Sequence, residues 1–483
     1  MSRFRRIAAT LAITLTLSAV WLSGQNTQVE ALKREAVGWV EANKEALDGT
    51  ARSIWQYAET ALLEQKSAAA LSDFIERQGF SVQRGVADMP TAFVATYGSG
   101  KPVIGILGEF DALPGLSQKE GVPRKEPLVE GEPGHGCGHN LLGVTGAASA
   151  IAIKEVMQKH GLKGTLKFFG CPAEETVVGK VYMAKAGLFN DLDICFDNHP
   201  DDENAVSLDT SNALNNFEVT FRGKTAHAAG DPWDGRSALD AVELMDVGVN
   251  FLREHVRPTV RIHYVIPDAG KAPNVVPDRA RAWYYVRGKD REEVEEVYAR
   301  VLKIAEGAAL MTETTREVYL ITGVYNKLVN REVARVLHKN LEFVGPPRFT
   351  DEQQAFAREM QKYLGNKEEG ISTDIKPLEE PKGYMGGGST DVADVSWIVP
   401  TAALGTACWP KGSPGHSWAV TTCAGSSVGL TGMHTAAKTI AAAGIETLMD
   451  PSVIEKAQAE FKEKTKGFTY KSAVPKDQKP RLP

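Results

Sequence analysis

Three apolar runs constrain what this chain can fold into. Val103–Leu107, Thr165–Cys171 and Asp193–Phe196 each read as a buried strand. Each stops at a loop rich in acids, histidine or proline: GEFDALPG, PAEET and DNHP. Between the first two lies Gly138–Lys159, a long helix of small residues. Shorter strands are predicted at Phe80–Arg84 and Phe93–Tyr97, after helical spacing over 30–65 and 67–79. Strands alternating with helices, with polar residues at the strand C-termini, predict an α/β sheet whose site lies along that edge.

Near residue 210 the pattern changes. Phe217–Phe221 (FEVTF) and Val260–Ile266 alternate like strands with one wet face. Arg236–Glu254 is an amphipathic helix, Ala280–Val286 a further strand and Arg291–Ala309 a further helix. The order strand–helix–strand–strand–helix–strand makes a self-contained α+β unit. It looks inserted, because α/β character resumes after about 326 with GGGST at 386–390, the strand Thr401–Ala407 and the helix Gly425–Ala443. The division is therefore a catalytic domain in two parts, 30–209 and 326–465, around an inserted unit at 210–325. The Pro- and Lys-rich end, 466–483, reads as a disordered or surface-draped tail.

The first 25 residues stand apart. Arg3, Arg5 and Arg6 precede an apolar stretch from Ile7 to about Leu22, the pattern of a secretory signal peptide. Export to a periplasm is the expectation, and an uncleaved membrane anchor is the alternative. A hydrophobic share of 43% and a charged share of 24% belong to a folded chain of 483 residues. A net charge of −6 leaves no bulk positive charge for nucleic acid. Five cysteines are too sparse for a disulfide scaffold, and their odd number leaves one thiol to be explained.

Five places combine metal-capable or acid/base side chains with strand ends or tight loops. GHGCGHN puts Cys137 and His139 two apart, with His135 as a third possible donor. Glu174 and Glu175 are adjacent acids after a strand. Such a pair is tolerable when a cation neutralises one and the other takes a proton from water. His199 follows the third strand, and His416 sits in GSPGHSW between residues that fix a turn. Glu109 and Asp111 end the first strand, where a carboxylate can ligate or orient a ligand. Each place alone has a bland reading. An α/β sheet would gather all five at one edge.

The motifs GEFDALPGLSQ, PGHGCGHNLLG, GCPAEE, GKTAHAAGDPWDGRSALDA, NVVPD, GSTDVADVSW and GSPGHSW occur in that order. Together they resemble the aminoacylase/carboxypeptidase-type metallo-amidohydrolases, most of all a branch acting on aminobenzoyl-glutamate. The resemblance runs from about residue 35 to about 460. It implies a two-metal, exopeptidase-like α/β catalytic domain interrupted by a dimerisation or lid domain. It makes Cys137, His139, Glu175, His199 and His416 the ligands of two divalent ions. Manganese or zinc comes first, with cobalt or nickel possible. Glu174 becomes the general base and Asp111 the acid supporting the metal site. Glu109 stands where relatives outside this branch carry a histidine ligand, and it is left out of the ligand set. His227 matches a lid histidine that reaches across from a partner subunit to the carbonyl oxygen. Asn274, Arg287 and Ser389 match substrate-binding positions, with Gly387 and Gly388 nearby.

What the resemblance implies is hydrolysis of the amide of an N-acyl or N-aroyl amino acid, with p-aminobenzoyl-glutamate the leading substrate. A metallodipeptidase or broad N-acyl-amino-acid deacylase is the alternative within the class. A non-catalytic partner subunit is the alternative from another class, and hydrolysis by the Cys137 thiol with His139 is a fourth reading. The assembly implied is a homodimer, or a heteromer with a related subunit.

Overall fold

The computed structural model describes residues 27–381 and 387–483. The expected signal peptide lies outside these residues. Among the described residues, no helix is long and apolar enough to cross a membrane.

The strands are β1 (Ser81–Arg84), β2 (Phe93–Ser99), β3 (Val103–Glu109), β4 (Gly164–Cys171), β5 (Ile194–Asp201), β6 (Ala205–Val206), β7 (Ala213–Arg222), β8 (Arg261–Asp268), β9 (Arg279–Gly288), β10 (Thr315–Val324) and β11 (Thr401–Ala407). The larger sheet has the order β1-β2-β4-β3-β5-β11-β6. β3, β4, β5 and β11 run parallel, so their C-terminal ends share one edge. The antiparallel strands β1, β2 and β6 take the outer positions.

Every residue of β3 is buried, as its unbroken apolar run requires. Its cover is the helix His139–His160, whose small residues let it lie close to the sheet. A Cβ on Gly143 would stand 2.6 Å from the Glu109 carbonyl oxygen, and one on Gly146 2.5 Å from that of Leu107. This close approach brings His139, the first residue of the helix, over the end of β3. The helix Ser427–Met449 packs against its outer side. Two helices that the sequence pattern does not place, Arg331–Val344 and Asp351–Leu364, follow the smaller sheet. Their N-termini are capped by Asn330 and Thr350.

β5 is longer than its apolar run indicates and continues through DNHP to Asp201. His199 is therefore inside the strand, opposite Gly405 of β11, rather than in a loop beyond it. Pairing with β11 extends the strand past the point where the apolar signal ends.

The smaller sheet, β10-β7-β9-β8, is antiparallel throughout. The helices Ala238–Leu252 and Arg291–Met311 cover one face and share a core with Phe217, Val219 and Phe221. Ser237 and Asp290 cap those helices through side-chain oxygens that accept from Asp240 and Glu293 N–H. The element order is the α+β order read from the sequence. The wet face expected of FEVTF is absent, since all of β7 except Arg222 is buried. Asn216 Nδ2 donates to the Thr176 carbonyl at 3.3 Å, and Glu218 is paired with both Arg281 and Arg481. The polar face of the strand thus meets the large domain and the C-terminal tail.

That tail is draped over the surface. Tyr470 Oη donates to Asp394 at 2.6 Å, and Gln478 Nε2 donates to the Leu320 carbonyl at 2.7 Å. The Arg481 guanidinium lies 3.7 Å from the centre of the Tyr319 ring. The tail therefore contacts both sheet systems.

Candidate metal centre and active site

The parallel edge collects the polar loops. Glu109 ends β3 and Asp111 follows it. Glu174 and Glu175 lie on a single turn after β4, held between Ala173 (φ 57°) and Val177 (φ 53°). A β-branched residue in the left-handed region is a strained conformation, and it aims the two acids inward. Glu64 braces the turn, because its carboxylate accepts the Ala173 N–H at 2.9 Å. His416, on the loop after β11, also has positive φ (49°).

Hydrogen bonds fix which atom of His139 and His199 faces the centre. His139 Nδ1 is 2.8 Å from Asp111 Oδ1, which leaves Nε2 pointing inward. Asp111 Oδ2 accepts the Glu175 N–H at 2.9 Å, so one carboxylate sets two neighbours. His199 Nδ1 donates to the Pro200 carbonyl at 2.7 Å, which turns its Nε2 toward Cys137 Sγ at 3.4 Å. His416 Nε2 is 3.5 Å from Glu175 Oε2.

Cys137, His139 and His199 have donor atoms all within 4.8 Å of one another, and so do Cys137, Glu175 and His416. A third such group is Glu109, His139 and Glu174. Two donors sharing a tetrahedral zinc-like ion stand about 3.3–3.6 Å apart, given bond lengths of about 2.0–2.3 Å. The Cys137–His199 and Glu175–His416 distances fall in that range. Glu109 Oε2, His139 Nε2 and Glu175 Oε1 are buried and have no hydrogen-bond partner. Sulfur, imidazole and carboxylate donors at these separations fit divalent cations.

The electrostatics point the same way. Burial, reinforced by Glu109 and Asp391, holds Glu174 well above the ordinary carboxylate range. Burial pushes Glu175 up to about 7, against the pull of His139. For Asp111 burial acts upward, but the charge and hydrogen bond of His139 prevail and hold it below its usual value. Desolvation pushes the Cys137 thiol up to about 12, against His139. A neutral thiol is a poor nucleophile, so these surroundings disfavour the thiol-hydrolase reading.

Below the cluster lies an ion pair that the sequence pattern does not announce. Lys180 Nζ is 2.6 Å from Glu109 Oε1 and 2.5 Å from Asp391 Oδ1, with all three side chains buried. The available signal is a single lysine inside the apolar run Val177–Ala184, since a buried ammonium requires a partner.

Cys137, Glu174, Glu175, His199 and His416 line a cavity of about 580 Å³, together with Arg287, Ser389, Tyr285 and Lys327. Arg287 donates to Ser389 Oγ at 2.9 Å, and the Lys327 N–H donates to Ser211 Oγ at 3.1 Å. Gly388 lines the same wall, and Gly387 beside it accepts a hydrogen bond from Asn212. Nothing in the sequence pattern singles out Tyr285 or Lys327. His135 is not a donor to the cluster. It is buried, and its Nε2 bonds the Ile54 carbonyl at 3.0 Å, because the turn that presents Cys137 and His139 faces it the other way. His227 and Asn274 do not reach this chain's own cavity. Both are exposed and adjacent on the smaller domain, where the Ala228 N–H donates to the Asn274 carbonyl at 3.1 Å. All five cysteines are free, and four of them are buried.

An α/β sheet carrying divalent-metal donors and a buried glutamate at its parallel edge, with a second α+β domain, defines a metal-dependent amidohydrolase. The peptidase dimerisation domain family matches residues 212–312. The chain is 37% identical to one of the subunits of p-aminobenzoyl-glutamate hydrolase from Escherichia coli (strain K12), over 91% of this chain and 97% of that one. It is 29% identical to the Xaa-Arg dipeptidase of Mus musculus, over 90% and 93%. The solved structure of a Bacillus subtilis dinuclear metal-binding peptidase of the M20 family has the same fold. That likeness covers 84% of this chain and 99% of the other, with a TM-score of 0.53 at 18% identity. The chain belongs to the M20 family of metallopeptidases and amidohydrolases.

Proposed function

We propose that this enzyme hydrolyses the amide bond of N-acyl or N-aroyl amino acids, with p-aminobenzoyl-glutamate the leading substrate. The observation that carries the reading is a cavity lined by two kinds of group. One is the set of metal donors with Glu174. The other is the pair of cations Arg287 and Lys327, both pushed below their ordinary ranges chiefly by burial. Cations that bear a desolvation penalty are stabilised by an anionic ligand. A planar guanidinium suits a carboxylate, so Arg287 can take a carboxylate of the amino acid, while Lys327 already faces Asp197 and Asp209. The 37% identity to a component of p-aminobenzoyl-glutamate hydrolase supports the same substrate.

Cys137, His139, Glu175, His199 and His416 would hold two divalent ions. Such ions supply Lewis acidity for water and for the carbonyl oxygen. Glu174 takes a proton from the attacking water and delivers it to the leaving amine nitrogen as the C–N bond breaks. Asp111 keeps His139 and the Glu175 backbone in register. Thiolate and imidazole favour zinc, while the carboxylates also admit manganese, cobalt or nickel. His227 and Asn274 are assigned to the cavity of a partner subunit, with the inserted domain (210–325) as the dimer contact. The catalytic parts are taken as 30–209 and 326–465, with a tail at 466–483. A homodimer is the simplest assembly, and a heteromer with a related chain is the alternative. The basic and apolar N-terminal stretch supports export to a periplasm.

A dipeptidase reading is favoured by the likeness to Xaa-Arg dipeptidase and uses the same chemistry. The full chain, supplied with Zn²⁺ or Mn²⁺, should be assayed on p-aminobenzoyl-glutamate, N-acyl amino acids and dipeptides. The aroyl-glutamate should give the highest kcat/KM. Preference for dipeptides with a basic C-terminal residue would replace this function with the dipeptidase.

A further inference from the structure

The turn that carries Glu174 and Glu175 is not held by its own domain alone. Glu64 and Asp111 brace its first half, where their carboxylates accept the Ala173 and Glu175 N–H groups. Its second half ends at Val177, whose left-handed backbone (φ 53°) persists only where the surroundings hold it. The last two carbonyls of the turn both accept hydrogen bonds from the inserted domain. Asn216 Nδ2 donates to the Thr176 carbonyl at 3.3 Å, and Thr322 Oγ1 donates to that of Val177 at 2.8 Å. Both side chains are fully buried. The two residues stand opposite each other across the β7–β10 ladder, so they share one face of the sheet. A register shift between Leu320 and Thr322 puts Thr322 in that place. Trp283 Nε1 donates to Asn216 Oδ1 at 2.6 Å, which leaves the amide nitrogen facing the turn. Neither Asn216 nor Thr322 lines the cavity of the metal donors, so any part they have in the reaction passes through the turn. A buried carbonyl left without its donor is costly, and a strained turn that loses one relaxes.

We propose that Asn216 and Thr322 are positioning residues for hydrolysis. From the inserted domain they hold the turn so that the Glu174 carboxylate meets the attacking water. The inference rests on the reading of Glu174 as general base and gives the inserted domain a task within its own chain.

The test uses the full chain loaded with Zn²⁺ and the substrate it cleaves fastest. Thr322→Val keeps the branched shape and removes the donor. Its kcat should fall about 10–100-fold, the effect of misplacing a reacting group by about 1 Å. KM should stay within about twofold, because substrate contacts are untouched. Thr322→Ser should regain most of the lost kcat, and Asn216→Ala should behave as Thr322→Val does. Tyr182→Phe is the control, since Tyr182 Oη donates to the Ile321 carbonyl at 3.2 Å across the same domain contact without touching the turn's carbonyls. Its kcat should stay within about twofold of wild type. Wild-type kcat in both Thr322→Val and Asn216→Ala, an equal loss in Tyr182→Phe, or no recovery in Thr322→Ser overturns the proposal. A wild-type chain inactive on every substrate overturns the amidohydrolase reading beneath it instead. A crystal structure of the full wild-type chain tests the tether in that case, and also if the variants fail to fold. Both side-chain bonds to the turn support the proposal. The same turn with its Thr176 and Val177 carbonyls bonded to water overturns it.

Discussion

Glu174 lies in surroundings unlike those of a surface glutamate. Burial, Glu109 and Asp391 all favour its protonated form, so its affinity for a proton is higher than that of a surface glutamate. Glu174→Gln keeps the shape and removes that capacity. Amide hydrolysis should fall by about 10²–10⁴, while metal content measured on the same samples stays at the wild-type value. Wild-type rates in the variant would remove Glu174 from the reaction. At this scale the sequence is informative wherever a polar residue follows an apolar strand or sits in a tight Gly-rich turn: Cys137, His139, Glu175, His199 and His416 all stand out for that reason. Lys180, Asp391 and Glu64 do not, because a charged residue inside a helix or loop looks the same whether it faces water or a buried partner. His135 misleads for the opposite reason: its neighbours in sequence are donors, but the turn separates their directions.

Helix contacts with the sheet control how accurately the donors meet. His139 is carried by a helix that approaches β3 across Gly143 and Gly146, so the histidine's position depends on residues with no side chain. Gly143→Val should force the helix away from the Glu109 carbonyl and cost about 1–3 kcal/mol as overpacking, seen as a lower thermal midpoint. Gly307→Ala, in the helix Arg291–Met311 with open space around it, should go the other way by up to about 1 kcal/mol. Equal effects at the two sites would show that the close approach is unimportant. Apart from β6, which no run marks, and β10, which the strand–helix order counts without giving it residues, the strands of both sheets are legible from their apolar runs and alternation. Two details are not. β5 runs on through DNHP because β11 pairs with it, and the polar face of β7 is buried because another domain and the tail cover it. Both depend on partners distant in the chain, which local pattern does not report.

Across the whole molecule, the strand–helix–strand–strand–helix–strand insertion can be read in the chain, but what completes the cavity cannot. His227 and Asn274 sit together on the exposed part of the smaller domain, away from this chain's own donors. The proposed assignment has a second copy supply them. In that arrangement, His227→Ala and Glu174→Ala chains are each inactive, and mixed dimers regain part of the activity because one composite cavity is whole. Verified mixed dimers without recovery would place His227 outside the reaction. Underlying every such experiment is the convergence of sulfur, imidazole and carboxylate donors at the parallel edge of the sheet. Titration of the chelator-stripped protein with Zn²⁺ or Mn²⁺, with bound metal and amide hydrolysis read in the same samples, tests it most directly. The stripped chain should show no hydrolysis, and activity should rise in step with metal up to two ions per chain. Full hydrolysis by metal-free protein would contradict the metal-centre assignment.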